Sequence, residues 1–119
     1  PKKRIRNREE SFSKLRKKTY DLGRYILRSP VTIDELQQEG AELHHCVASY
    51  VDRIINGETE VLFLRKKTEP QKPYYTVEVK QGEITQVRTE YNRTDERITK
   101  FLTKFAEKGG LGKCTQAAN

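Results

Sequence analysis

The run Tyr75-Thr76-Val77-Glu78-Val79-Lys80-Gln81-Gly82-Glu83-Ile84-Thr85-Gln86-Val87-Arg88 decides the fold class. Its first half alternates strictly between apolar and polar side chains, the period of a strand with one buried face. Gly82 then turns the chain into a further strand, Ile84 to Glu90. The turn fixes register, and register decides which side chains share a face. A two-residue turn Gln81-Gly82 lacks the Asn, Asp or Gly favoured at its first position. A three-residue loop Lys80-Gln81-Gly82 puts Gly at the left-handed position of a type I turn with a bulge, and is the better fit. That register pairs Val79 with Glu83, Glu78 with Ile84 and Thr76 with Gln86. One face then carries Tyr75, Val77, Val79, Thr85 and Val87 and belongs on a core. The other carries Tyr74, Thr76, Glu78, Gln86 and Arg88.

Working outward, Val61-Leu62-Phe63-Leu64 followed by Arg65 reads as a strand preceding the hairpin, across a polar loop that holds Pro70 and Pro73. After it, Thr94 caps a helix with Asp95 and Glu96 in its first turn, a core face of Ile98, Phe101, Leu102 and Phe105, and Gly109-Gly110 as its stop. Upstream, Leu43, Cys46, Val47, Tyr50, Val51, Ile54 and Ile55 form one apolar stripe at helical spacing, ended by Asn56-Gly57. Thr32 is an N-cap for a short helix running to about Glu39, with Gly40 as stop or hinge. Before that, Phe12, Leu15, Thr19, Leu22, Tyr25 and Ile26 fall near one helical face; Gly23 weakens this helix and Ser29-Pro30 ends it. The expectation is an α+β domain: N-terminal helices, a three-stranded antiparallel β-meander, and a C-terminal helix packed on one sheet face. Residues 1–10 read as a basic arm or a frayed helix start, 11–108 as the domain and 109–119 as a flexible tail.

With 119 residues, 34% hydrophobic and 34% charged, the chain suits one domain with a small core. No apolar run is long enough to cross a bilayer and no secretory pattern is present, so a soluble cytoplasmic protein without a membrane partner is expected. The chain opens on Pro1 rather than Met, as a processed chain or a fragment would. Cys46 and Cys114 lie far apart and form no C-x-x-C pair. They are read as reduced thiols, Cys46 as a buried small hydrophobe, and neither a metal nor a cofactor is predicted. The net charge of +7 favours polyanionic partners, because phosphate neutralisation dominates sequence-independent nucleic-acid binding.

Two constellations could carry chemistry. The polar sheet face is ordinarily solvated when helices cover only the other side. Its functional alternative is a cleft floor with Glu78 as acid or base and Thr76 and Gln86 as orienting groups. The second is His44-His45-Cys46. On an unbroken helix His45 points away from the apolar stripe, beside Ser49 and Asp52, and the adjacent histidines diverge by about 100°. A Cys–His pair therefore needs the helix to break near Gly40.

Glu39-Gly40, Leu43-His44-His45-Cys46-Val47, Ser49-Tyr50 and Gly57 resemble the signature of PcfJ-like proteins. So do Leu64-Arg65, the proline-containing loop, Tyr75-Thr76-Val77-Glu78-Val79, Ile84-Thr85-Gln86, and Asn92 before a closing helix. The resemblance covers roughly residues 33–105. It implies a bacterial mobile-element setting, such as conjugative plasmids and phages, and no settled activity. It also implies a shared polar site, because His45, Cys46, Tyr50, Arg65, Thr76, Glu78, Gln86 and Asn92 match the family's polar positions. The family commonly has a glycine between the Gln and the Asn; this chain reads Val87-Arg88-Thr89-Glu90-Tyr91 there.

The leading functional expectation is a nucleic-acid-associated accessory domain. Lys14, Arg16, Lys17 and Lys18 would grip the phosphates of DNA or RNA, while Arg65, Arg88 and Arg93 contact phosphate or base beside Thr76, Gln86 and Asn92. Its rival is a small hydrolase or transferase acting on a nucleotide or nucleic acid, with Glu78 as general base, His45 as acid and Arg65 as anion clamp. A third reading is a protein-interaction or inhibitor module with a protein partner.

Overall fold

In a computed structural model, which describes residues 2–112 and 116–118, the 75–88 run forms the edge hairpin of an antiparallel sheet. The elements run α1 (Lys2–Ser13), β1 (Lys17–Asp21), β2 (Tyr25–Arg28), α2 (Ile33–Leu43), a 3-10 turn (Val47–Tyr50), α3 (Val51–Ile55), β3 (Glu60–Lys66), β4 (Tyr75–Lys80), β5 (Glu83–Arg88) and α4 (Glu96–Glu107). Short 3-10 turns lie at Glu90–Asn92 and Gly110–Gly112, and a three-residue strand β6 (Gln116–Ala118) follows. The sheet order is β5-β4-β3-β2-β1-β6. The molecule is therefore α+β as expected, and its β3-β4-β5 meander is the predicted one. Cys114 lies outside the described residues. None of the described helices is long and apolar enough to cross a membrane.

The first half of the chain differs from expectation. The segment read as a helix from Phe12 to Arg28 is a hairpin preceded by a shorter helix. Gly23, with φ +78°, makes the turn, where its N–H donates to Asp21 Oδ1 at 3.0 Å and Leu22 N–H donates to the Tyr25 carbonyl at 2.9 Å. Thr19, Tyr20, Tyr25, Ile26 and Leu27 are β-branched, aromatic or aliphatic residues that suit a pleated surface. Tyr20 pairs with Leu27 across the strands, and both are buried. A three- and four-residue spacing and a period of two overlap in so short a run, and pairing of β2 with β3 decides it. The three-stranded meander thus grows into a larger sheet. The stretch read as a tail adds β6 against β1, and Tyr20 Oη donates to the Leu111 carbonyl at 2.8 Å.

Both sheet faces are covered. On one, α4 brings Ile98 and Leu102 onto Tyr20, Leu27, Leu62, Leu64, Tyr75, Val77, Val79 and Val87. On the other, Phe12, Leu36, Val51 and Ile54 from α1, α2 and α3 close over Val61 and Phe63 of β3. Helices on one face only would have left Thr76 and Glu78 solvated; here both are buried. The cap of α4 is Asp95, which accepts from Arg97 N–H, rather than Thr94, which bonds the Thr99 hydroxyl.

The hairpin register also differs. Glu78 pairs with Gln86, Thr76 with Arg88, Val77 with Val87, Val79 with Ile84 and Lys80 with Glu83, with an irregularity between Glu78 and Val79. The turn is the two-residue one, with Gln81 at φ +51° and Gly82 at +79°. Glutamine bears a left-handed conformation usually given to Asn or Gly, and Thr85 becomes the extra residue of a bulge farther along. The faces of Thr76, Glu78, Gln86 and Arg88 come out as expected, but Thr85 moves from the core face to the side of Glu78, donating to its carbonyl (3.3 Å) and Oε1 (3.4 Å).

Candidate functional site

The site begins where α2 ends. Thr32 caps that helix by accepting from Glu35 N–H at 3.0 Å, and Gly40 lies inside it instead of stopping it. It ends one turn later at His44, whose φ of +55° and N–H bond to the Gly40 carbonyl make a left-handed C-cap. The long stripe from Leu43 to Ile55 is accordingly broken into a 3-10 turn and the five residues of α3. This break overturns the helical-wheel geometry. His45 rotates inward and is buried, while Cys46, expected in the core, is exposed.

His45 joins a buried polar chain. Its Nε2 is 3.1 Å from Thr76 Oγ1, and that hydroxyl donates to Glu39 Oε2 at 3.3 Å. Glu39 Oε1 takes Arg65 Nη2 at 2.5 Å, and Arg65 Nη1 donates to the Pro70 carbonyl at 3.1 Å. The Arg65 guanidinium lies over the Phe63 ring, 5.0 Å from its centroid. Burial pushes the Glu39 carboxyl up to about 7 against the opposing pull of Arg65. Burial also holds the His45 imidazole below its usual value, which keeps it neutral at pH 7. With the Thr76 hydroxyl proton directed at Glu39 Oε2, a Thr76 Oγ1 lone pair accepts from His45 Nε2–H and the Nδ1 lone pair stays bare. Nδ1 has no partner, and neither does Arg65 Nε.

Glu78 lies two residues from Thr76 on the same face of β4. Its Oε2 accepts from Thr59 Oγ1 at 2.6 Å, and Lys80 Nζ stands 3.9 Å from the same oxygen. Its Oε1 meets only the longer contact from Thr85. One carboxylate oxygen is therefore fixed and the other is available. β5 is the sheet edge and α1–α3 stop short of it, which leaves a cleft of about 490 Å³. His45, Cys46, Tyr50, Thr76, Glu78, Gln86, Arg88 and Asn92 line it beside Val61. Such a volume falls in the range of ligand sites.

Half of the sequence-derived candidates meet here: His45, Thr76, Glu78, Gln86, Arg88 and Asn92. Arg93 lies just outside on an exposed turn. Arg65 sits beneath the cleft, engaged by Glu39. Lys14, Arg16, Lys17 and Lys18 lie elsewhere, around a second depression of about 540 Å³ that includes all but Lys14. There Lys17 Nζ donates to the carbonyls of Phe12 and Leu15, and Lys18 pairs with Glu60 at 3.1 Å. Sequence reasoning passed over Glu39, Thr59 and Thr85. Glu39 had a signal, a carboxylate three residues after Leu36 and four before Leu43 on the buried stripe of α2. Thr59 had none. Among the described residues, no group of three or more His, Cys, Asp or Glu is placed to hold a metal ion.

The sequence profile of PcfJ-like proteins matches residues 1–102. This chain belongs to the PcfJ-like family. A relative from Listeria innocua serovar 6a, named as an uncharacterized protein (Lin1253/Lin1744), is 34% identical over 83 residues, which is 68% of this chain and 18% of the relative. The PcfJ-like chain thus corresponds to under a fifth of that protein's length. No solved structure matches it. In the stretch that follows Gln86, Tyr91 adopts φ +57° and Asn92 φ +60°.

Proposed function

We propose that the cleft is the working site of a small hydrolase or transferase that acts on a nucleotide or nucleic acid, in the cytoplasmic, mobile-element setting the family suggests. What carries the reading is Glu78. A carboxylate with Oε2 held at 2.6 Å by Thr59 and Oε1 left for substrate is oriented as a general base, in a cleft that also holds His45, Gln86, Arg88 and Asn92. Glu78 takes the proton of an attacking water or hydroxyl. Arg88 clamps an anionic group, a task Arg65 is not free to perform, and the amides of Gln86 and Asn92 position the substrate by hydrogen bonds. Burial keeps His45 neutral, so it serves as a hydrogen-bonding or second basic group and not as the acid.

The test is turnover of nucleotide and oligonucleotide substrates by Glu78→Gln. A loss of about 10²–10⁴-fold with unchanged circular dichroism is expected. Wild-type turnover in that variant would remove the proposal. A purely binding role is the second reading, favoured by the +7 charge and by Lys14, Arg16 and Arg93, which are exposed. It expects salt-sensitive affinity with no turnover by the wild type.

A further inference from the structure

At the rim of the cleft, two aromatic rings from distant parts of the chain lie flat on each other. His44 and Tyr91 have centroids 4.5 Å apart and an interplanar angle of 2°. Neither ring belongs to a core: His44 is exposed and Tyr91 is 58% exposed. Each is presented from a pinned backbone. His44 is the left-handed cap of α2. Tyr91 tips a turn closed by Thr89 N–H to the Arg93 carbonyl at 2.7 Å, and by Thr89 Oγ1 to the Tyr74 carbonyl at 2.7 Å.

Three contributors to this rim, His44, Tyr91 and Asn92, have positive φ without being glycine. Such conformations are tolerable for His and Asn but unusual for a bulky Tyr, and they concentrate at working sites. The residues flanking the stack already line the cleft: His45 follows His44, and Asn92 follows Tyr91. Arg93 stands at 5.8 Å from the Tyr91 centroid, the outer limit of a cation–π contact, and is exposed. A solvent-facing pair of rings with Arg93 beside it and Arg88 in the adjoining cleft is an arrangement that receives a nucleobase: the base extends the stack and the guanidiniums meet its phosphates.

We infer that the His44–Tyr91 stack is a nucleobase platform, so that the cleft takes single-stranded nucleic acid, one nucleotide within and the neighbouring base stacked on the rim. This rests on the cleft being a nucleotide site, and adds which form of nucleic acid enters it. A duplex is disfavoured because its bases already stack on one another and offer no face. A free mononucleotide fills the cleft and leaves the platform unused.

The test is a salt-titrated affinity measurement on the full chain with four probes: a single-stranded oligonucleotide, the same strand made abasic, a duplex, and a mononucleotide. Tyr91→Gly removes the ring while keeping a backbone that glycine adopts freely; Tyr91→Phe keeps the ring. Tyr91→Gly should weaken the single strand about 5- to 150-fold. It should leave the abasic strand, the mononucleotide and the salt slope unchanged, and Tyr91→Phe should bind like wild type. Arg88→Ala should lower the salt slope by about one and weaken all four probes. The platform is overturned if the abasic strand binds as tightly as the intact one, or if Tyr91→Gly binds as tightly as wild type. If Arg88→Ala still weakens binding in that case, the cleft survives and the platform alone falls. Absence of binding by every probe at low salt removes both.

Discussion

Glu39 and Arg65 face each other under α2, with 0% and 6% of their side chains exposed. Removing one member of such a pair strands a buried charge at a cost of about 3–5 kcal/mol, while replacing both with apolar groups is often near neutral. Arg65→Met alone should therefore lower the urea-unfolding free energy by about that amount, and Glu39→Leu with Arg65→Met should recover most of it. Equal losses in the single and double variants would mean that the pair does not act as a unit. Thr59 supports Glu78 from outside the cleft. Thr59→Val keeps the side-chain shape and removes the 2.6 Å bond, costing about 1–3 kcal/mol for the buried acceptor. Under the proposed hydrolase or transferase activity, turnover should fall in kcat more than in KM; a change in KM alone would place Thr59 in substrate binding. The polar face bearing Thr76 and Glu78 follows from strand alternation, so these residues were legible. Thr59 was not, because its role depends on which strand lies beside β4.

The β4–β5 hairpin shows how a local preference yields to its surroundings. Gln81 occupies a left-handed position that Asn takes at lower cost, and both residues of the two-residue turn have positive φ. Gln81→Asn should raise the urea-unfolding free energy by several tenths to about 1 kcal/mol, seen as a higher midpoint with no change in the slope m. A lower midpoint would show that the Gln81 side chain contributes something the turn geometry does not. The wrong register came from weighing the turn residues alone, whereas the sheet needed Glu78 opposite Gln86 with Thr85 bulged beside them. The pairing of β3, β4 and β5 was readable because β3 holds a four-residue apolar run, β4 alternates strictly and Gly82 marks the turn into β5. The hairpin of β1 and β2 was not, because its five and four residues fit helical spacing as well as strand spacing. Only the long-range partnership with β3 separates the two. The break at His44 was equally hidden: the stripe from Leu43 to Ile55 continues through it without a proline or glycine.

Across the whole molecule, the two covered faces of the sheet place two titrating groups in one buried chain, and their effects on stability oppose each other. Glu39 titrates near 7 in the folded protein and near 4.5 in the unfolded chain. Between those values the folded state holds a proton that the unfolded state has released. Its stabilising contribution is complete below about pH 4.5 and is lost as pH rises through 7, by about 3 kcal/mol. His45 is lowered in the folded protein, so the unfolded chain protonates first. Its contribution is complete above about pH 6.5 and is lost as pH falls through the folded value. Just below pH 6.5 the two slopes have opposite sign and partly cancel, and single variants should separate them. Relative to wild type, the stability of Glu39→Gln should climb with pH across the window from about 4.5 to 7, on top of a pH-independent loss from the unpaired Arg65. His45→Asn should fall with pH relative to wild type below about 6.5, because only the Glu39 slope remains. The measurement is urea unfolding at intervals across that range, read as differences between variant and wild type so that the surface carboxylates drop out. Parallel curves for wild type and Glu39→Gln would mean that Arg65 keeps Glu39 ionised throughout, with Thr76 donating to a permanent carboxylate and His45 held as a fixed donor in the cleft wall.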